Sequence, residues 1–405
     1  MTNKVLFVTS GQPSLNPRLV KEADSLTTAG YQVTVLYSYW NDWGDTFTRQ
    51  LLLTKKWNAV CVGGHPTESP IVYFLSRLLY KLAKWLFIQL HFNYLAEFAA
   101  ARSTFFLIKE AEKHPADLYI GHNLGALPAI VKAAKKYNAK CGFDAEDFHR
   151  NEVSDDVNSF NFKIAKHLED KYLTEVDYIT ASSPQIADAY KQLYPGKKLV
   201  TLLNVFPKNR FLKQRDINSA DTIKLFWFSQ TIGSNRGIDD IINALQLLDK
   251  NQFELHLLGA PQEGFIDKIN STGVCVKFHN PIHPDELTDF ASQFDIGLAL
   301  EPGFCINNNL ALSNKLFTYM QAGLAIIASD TTAQQDFLSK NPQIGSLYQK
   351  GDPKALATIL LNYYKNRDEL TNCKNQSLHL ANQQYNWENE SQKFLSIVKE
   401  TLLKD

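Results

Sequence analysis

The chain has 405 residues, with 42 basic and 42 acidic side chains and no formal net charge. That length exceeds one ordinary core and points to about two domains, while the even charge balance argues against a nucleic-acid binder, which carries a basic excess. Five scattered cysteines, Cys61, Cys141, Cys275, Cys305 and Cys373, form no C-x-x-C pair, so they are expected to be reduced, buried, small hydrophobes in a cytoplasmic protein without structural zinc.

The opening MTNKVLFVTS enters a strand-like run without signal-peptide architecture, so no secretion is implied. The next strand candidates are YQVTVLY and AVCVGG. They are followed by IVYFLSRLLYKLAKWLFIQLHF, residues 71–92, which is long enough to span a bilayer. Arg77, Lys81 and Lys84 recur at spacings of four and three and set three cations on one helical face in mid-segment. A spanning helix bears that badly, whereas an interfacial helix with a basic stripe opposite aromatic and aliphatic residues favours it. A packed domain helix with a solvated basic face is the alternative.

DLYIGH, AKCGFDA, YITASS and LVTLLNV complete the strands of the first half; KLFWFSQ, FELHLLG, VCVKFHN, IGLALE, LAIIASD and GSLYQK follow in the second. Strands alternating with helical patterns predict an α/β architecture, two doubly wound parallel sheets with helices on both faces. The pattern lapses in FPKNRFLKQRDINSAD, residues 206–221, a polar interruption with a proline, so domains of 1–205 and 206–385 are expected, meeting in a cleft beyond the carboxyl ends of their strands. Neither G-x-x-x-x-G-K-[ST], nor G-x-G-x-x-G after the first strand, nor G-x-S-x-G occurs, which removes a P-loop, a nicotinamide site and a hydrolase elbow. Asp-x-Asp, the simplest chelator of a metal-bound diphosphate, is missing as well.

Two loops of the second half can hold an anion. In FSQTIGSNRGIDDI, residues 228–241, a strand ends, Gly233 and Gly237 make a flexible loop, and a helix starts near Asp239. Arg236 precedes that helix and can fork onto a phosphate. In ALSNKLFTYMQAGLAIIASD, residues 311–330, Ser313 caps a short helix, Gly323 closes it, and Asn314 and Lys315 stand at its start. Either cation alone could simply be solvated. Together, the two loops describe a diphosphate site in which cations and helix N-termini stand in for a metal ion.

PRLVKEADSLTTAGYQVTVL, ADLYIGHNLGALPAIVKAAKKYNAKCGFDAEDFH, SQTIGSNRGIDDIINAL, SNKLFTYMQAGLAIIASD and YNWENESQKFLSIVKETLL, in this order, resemble the GT-B-fold, retaining glycosyltransferases of the glycosyl transferases group 1 family, also called family 4. The resemblance spans nearly the whole chain. It implies transfer of a sugar, with retention, from a nucleotide-diphosphate donor on the second domain to a glycan or lipid-linked glycan acceptor on the first. It also implies neither metal nor cofactor, and a C-terminal helix, 386–405, that packs back on the first domain. In that scheme Arg236 takes the place of the family's phosphate-loop lysine and Gln230 that of its arginine. Glutamine brings no charge, so Lys315 would supply the second cation. His122 corresponds to a polar position near the transferred sugar; the other reading is a histidine satisfied by capping the next helix.

The departures lie where the family carries two glutamates, here Leu310 and Thr318. Thr318 could still bond a ribose hydroxyl, and Glu301, ending IGLALE, is the nearest carboxylate able to reach the sugar if 302–312 loops over the donor; otherwise it is a solvent-facing strand end. The motif Asp144-Ala145-Glu146-Asp147 stands where the family more often has Asp-Ala-His-Glu, making Glu146, Asp147 and His149 candidates for acceptor or sugar contacts, with helix capping the alternative for Asp147. Arg236, Lys315 and the helix N-termini would stabilise the leaving diphosphate. The basic segment 71–92 hints at peripheral contact with the inner face of a bacterial membrane and at polysaccharide assembly there. A sugar-nucleotide epimerase, a catalytically silent partner protein and a structural membrane-surface protein are the rival readings.

Overall fold

Each apolar run becomes a parallel strand in a computed structural model that describes residues 3–90, 92–209 and 222–403. The first sheet holds β1 (Lys4–Thr9), β2 (Gln32–Tyr37), β3 (Asn58–Cys61), β4 (Leu118–His122), β5 (Lys140–Ala145), β6 (Tyr178–Ala181) and β7 (Lys198–Thr201), in the order β3-β2-β1-β4-β5-β6-β7. The second holds β8 (Ile223–Ile232), β9 (Phe253–Pro261), β10 (Val276–His279), β11 (Ile296–Ala299), β12 (Ala325–Ser329) and β13 (Gly345–Tyr348), in the order β10-β9-β8-β11-β12-β13. Both sheets are doubly wound, and the strand order reverses between β1 and β4 and between β8 and β11. Beyond the carboxyl ends of those pairs lies the crevice where such sheets take ligands.

Alternate residues of β8 explain why the run is apolar throughout: Leu225 and Trp227 pack into one buried cluster with Ile238 and Ile241, while Phe226 packs into another with Tyr319 and Phe294. A strand covered on both faces cannot alternate with polar residues. The expected end of this strand at Gln230 falls short. β8 and β9 pair on through Thr231↔Ala260 and Ile232↔Pro261, after a register shift beyond Phe228. Gly259, at φ +147°, permits the bulge, since a Cβ there would lie 2.2 Å from the Ser229 carbonyl oxygen.

The chain forms two compact units, Met1–Leu202 with Ser391–Asp405, and Leu203–Glu390. Most of the polar interruption in which the domain boundary was expected, 210–221, lies outside the described residues. The division comes slightly earlier because Leu202 still donates its N–H to Ala181 of β6 (2.9 Å), whereas Leu203 and Val205 join the second unit's core. In the C-terminal helix Trp387–Leu402, Trp387 N–H bonds the Phe206 carbonyl within the second unit, and the residues from Ser391 onward group with the first.

Residues 70–90 form one helix, Pro70–Leu90, on which the basic Arg77 and Lys81 are exposed together with much of the apolar surface. Only Ser76, Ala83 and Phe87 are buried, a seam one residue wide. Many of the large apolar side chains face solvent, among them Ile71 at 76%, Leu78 at 64% and Trp85 at 53% exposure. Small residues at 76 and 83 let the helix approach the domain without covering its flanks. Among the described residues no helix is long and apolar enough to cross a membrane. Of the cysteines, Cys141, Cys305 and Cys373 are buried, but Cys61 and Cys275 are exposed, each on or beside an edge strand where one face stays open.

Candidate active site

At the second switch point, β8 leads through Gln230 and Gly233 to a turn in which Asn235 (φ 60°) and Gly237 (φ 73°) both adopt left-handed backbone. Gly237 is required twice over: its φ favours glycine, and a Cβ would stand 1.9 Å from the Leu300 carbonyl oxygen. The turn is thereby pressed against the residue that precedes Glu301. Gln230 and Arg236 are exposed, and Arg236 has no hydrogen-bond or ion-pair partner among the described residues. The following helix, Ile238–Leu245, begins with Asp239 and Asp240, which partly offset its N-terminal charge. Asp239 pairs with Lys268, and Asp240 accepts from the Tyr348 hydroxyl and the Gly351 N–H, both at 2.9 Å.

Ser313 caps the helix Asn314–Gln321 as expected, accepting from Lys315 N–H, and Gly323 follows its end at φ 66°. The anion at this helix N-terminus, however, comes from the chain itself. Glu301 Oε1 accepts from Lys315 Nζ (2.6 Å) and Ser313 Oγ (2.9 Å), and Oε2 from Asn308 Nδ2 (3.4 Å). Burial pushes the Glu301 carboxyl up, but the Lys315 charge and these hydrogen bonds outweigh it and hold the group below the usual carboxylate range. Lys315 also lies 5.7 Å over the Trp227 ring.

These contacts change two readings. Lys315 does not stand free as a second cation, because its charge is matched by Glu301. Nor is Glu301 a solvent-facing strand end: it is an inward-facing partner, and the segment after it holds a short helix, Ile306–Leu310, as well as loop. Thr318 is also placed differently, at 1% exposure with its hydroxyl donating to the Asn314 carbonyl of its own helix, and so does not face a ribose. Asn314 itself is exposed.

At the first switch point, charges are buried together. β4 ends on His122, in register with Thr9 of β1 and Asp144 of β5. Its ring is fully buried, with Nε2 3.0 Å from Glu22 Oε2 and Nδ1 3.1 Å from Glu146 Oε1. Burial lowers its pKa, but the carboxylates of Glu22, Glu146 and Asp144 overcome this and push it up to about 10. With a carboxylate oxygen at each ring nitrogen, His122 is placed to donate from both and does not serve as a helix cap. Arg18 grips Asp144 at 2.5 and 2.7 Å, and Thr180 donates to the same carboxylate at 2.6 Å. Glu22 is held above the usual carboxylate range by burial and by Asp144; Glu146 is held below it, burial being outweighed by His122, Arg18 and Asn16. Glu146 is about a quarter exposed, whereas the side chains of Arg18, Glu22, His122 and Asp144 have 1% exposure or less.

Glu22, His122 and Asp144 offer ligand atoms within 4.8 Å of one another. The guanidinium on Asp144 opposes a metal ion there, since a second cation would meet an uncompensated buried charge. Asp147 and His149 stand apart from this network. The Asp147 carbonyl accepts from the Tyr190 hydroxyl, and His149 Nδ1 lies 2.8 Å from Glu152; burial lowers the imidazole's pKa, but Glu152, Asp147 and Glu169 together overcome this and push it up to about 9. The single helical turn His149–Asn151 is preceded by Phe148, so Asp147 caps no helix.

Arg18, Glu22 and Asn16 were not among the residues singled out from sequence. A signal existed: Arg18 and Glu22 are four apart on the same face as Leu19, Ala23 and Leu26, and Asp144 sits inside an otherwise apolar strand.

Two doubly wound units of this kind define the GT-B fold, and solved structures agree. The chain superposes on Anabaena HepE in complex with UDP-glucose with a TM-score of 0.69 at 14% identity, covering 98% of this chain and 100% of that one. A TarM variant of S. aureus, in complex with Fondaparinux, alpha-GlcNAc-glycerol and UDP, gives 0.71 at 11% over 100% of both chains. WaaG, a glycosyltransferase involved in lipopolysaccharide biosynthesis, gives 0.62 at 14% over 97% and 99%. No curated protein matches the sequence. Residues 223–366 match the family model of Glycosyl transferases group 1. The second unit thus carries a Glycosyl transferases group 1 domain, and the chain is a glycosyltransferase of GT-B type.

Proposed function

We propose that the protein transfers a sugar, with retention, from a nucleotide-diphosphate donor to a glycan or lipid-linked glycan, without a metal ion, in surface-polysaccharide assembly. The observation that carries this reading is Arg236: an exposed guanidinium without a partner among the described residues, on a left-handed turn at the β8/β11 switch point, ready to be completed by an anion. Gln230 can add a neutral hydrogen bond. Lys315 and Glu301 act as a neutral pair beneath the loop and position the Asn314 helix, whose remaining N–H groups favour a phosphate oxygen. HepE and TarM were solved with UDP or UDP-glucose, which makes UDP the first nucleotide to try, and the involvement of WaaG in lipopolysaccharide biosynthesis supports a polysaccharide role.

In the first unit, Arg18, His122 and the partly buried Lys21 face three carboxylates, Glu22, Asp144 and Glu146, of which Glu146 is the one that reaches solvent. We assign Glu146 to binding an acceptor hydroxyl, with His122 as a positioning residue. No enzymic base is needed where the departing phosphate oxygen takes the acceptor proton. The exposed apolar face of Pro70–Leu90, interleaved with Arg77 and Lys81, supports peripheral contact with the inner face of the membrane.

The test is thermal stabilisation by UDP, GDP, dTDP, ADP and CMP, with and without EDTA, beside Arg236→Ala. Saturable stabilisation by one nucleotide, insensitive to EDTA and lost in the variant, is the expected result. No shift with any nucleotide overturns the reading in favour of a silent GT-B partner protein. That rival is favoured by the inward Thr318 and the neutralised Lys315. A nucleotide-dependent turnover indifferent to acceptor would instead indicate an epimerase.

A further inference from the structure

Between the C-terminal half of the Pro70–Leu90 helix and the start of the helix Phe160–Tyr172, the first unit holds a pocket of about 860 Å³. Its wall is apolar, formed by Phe87, Ile88, Phe160 and Phe162, and its rim carries Lys163 and Lys166. Lys84 stands just above, 4.3 Å over the Phe160 ring. The acid at the rim is Asp170, and it is already taken by Lys166, Arg150 and the Tyr194 hydroxyl. Lys171 is matched by Glu97. Lys84 and Lys163 have no carboxylate partner among the described residues. The pocket therefore combines an apolar interior with two unmatched cations, and it opens at the end of the same helix whose outer face exposes Leu78, Leu82 and Trp85.

We propose that this pocket is a binding site for an anionic glycerophospholipid of the bilayer, its phosphate at Lys84 and Lys163 and its acyl chains on Phe87, Ile88 and the exposed face of the helix. A soluble anion has no use for the apolar wall. A neutral lipid leaves the two ammonium groups without a counter-charge at the membrane surface, where each lysine contributes to anionic-lipid attraction. The proposal rests on the reading of peripheral membrane contact and gives it a lipid class.

The test uses the full chain and sedimentation with vesicles of phosphatidylcholine alone or mixed with phosphatidylglycerol. It compares the wild type with Lys84→Glu/Lys163→Glu and with Lys250→Glu, an exposed lysine of the second unit. Phosphatidylglycerol is expected to strengthen wild-type binding, and the double variant to lose about 25-fold on the mixed vesicles, from roughly fivefold per lysine. Lys250→Glu should leave binding unchanged. Quenching of Trp85 by brominated lipid, absent in Trp85→Phe, is expected to accompany binding. An unchanged thermal transition shows that the double variant is folded. A double variant indistinguishable from Lys250→Glu, or a wild type indifferent to phosphatidylglycerol, overturns the pocket while leaving membrane contact standing. Sedimentation with neither vesicle overturns both. The nucleotide experiment is independent of these outcomes.

Discussion

At the end of β4, Arg18, Glu22, His122, Asp144 and Glu146 are folded against one another, whereas at the corresponding end of β8 the guanidinium of Arg236 is exposed and has no partner among the described residues. Both places lie at a switch point, and each was marked in the sequence by one residue, His122 and Arg236, but the partners of His122 on the first helix were not. The difference is where the backbone puts them. Arg18 and Glu22 project from the inward face of a helix, and Asp144 and His122 from adjacent strands in register, so folding itself must bring them partners. Arg236 sits between two left-handed residues, Asn235 and Gly237, in a turn outside the sheet, and has no partner among the described residues. Charge on the packed face of an element reports architecture; charge on a turn beyond the strand ends is left for a ligand.

The comparison breaks if the two arginines respond alike to removal. Arg18→Met strands buried carboxylates and is expected to cost about 3–5 kcal/mol in denaturant unfolding, whereas Arg236→Ala should stay within about 0.5 kcal/mol. His122 sharpens it through pH. Its folded pKa, about 10, exceeds the ordinary value of 6.5, so its stabilising contribution is complete below pH 6.5 and fades as pH rises through about 10. The cost of His122→Asn should therefore be largest in mild acid and shrink with alkalinity. The difference between variant and wild type is the proper measure, because Lys21, pushed down to about 7 by burial and by Arg18, gives an opposite slope in both proteins.

A smaller effect tests the pair beneath the donor loop. Glu301→Gln and Lys315→Met should each destabilise the second unit, and the double variant should cost less than their sum, with a coupling of about 2 kcal/mol in a double-mutant cycle. Additive losses would mean that the two do not depend on each other. The smallest stability change belongs to Arg236→Ala, yet its nucleotide affinity should fall roughly 10- to 100-fold, the worth of a charge-assisted hydrogen bond. Calorimetric titration with the stabilising nucleotide measures it.

The sheets could be read from sequence because strands covered on both faces are continuous apolar runs, and thirteen such runs separated by helical patterns leave little choice of architecture. The Glu301–Lys315 pair could not be read in the same way. The two residues are fourteen apart across a loop and a short helix, and only the path of that segment brings the carboxylate back to the helix start. The Pro70–Leu90 helix was left with two readings for another reason. Periodicity separates an apolar stripe from a basic one, but which stripe the domain covers depends on neighbours that lie far along the chain. Thr318 shows a third limit, since a hydroxyl in a short helix can turn to its own backbone and leave a ligand nothing to hold.

The division of the chain has a consequence for its synthesis. The first unit runs from Met1 to Leu202 and is completed only by residues from Ser391 onward, including the buried Phe394, Ile397 and Val398. The second unit is contiguous. On the ribosome it has all of its sequence before the first unit has its last helix, so the half that begins first is finished last, and until then the apolar ground beneath that helix lies open to chaperones.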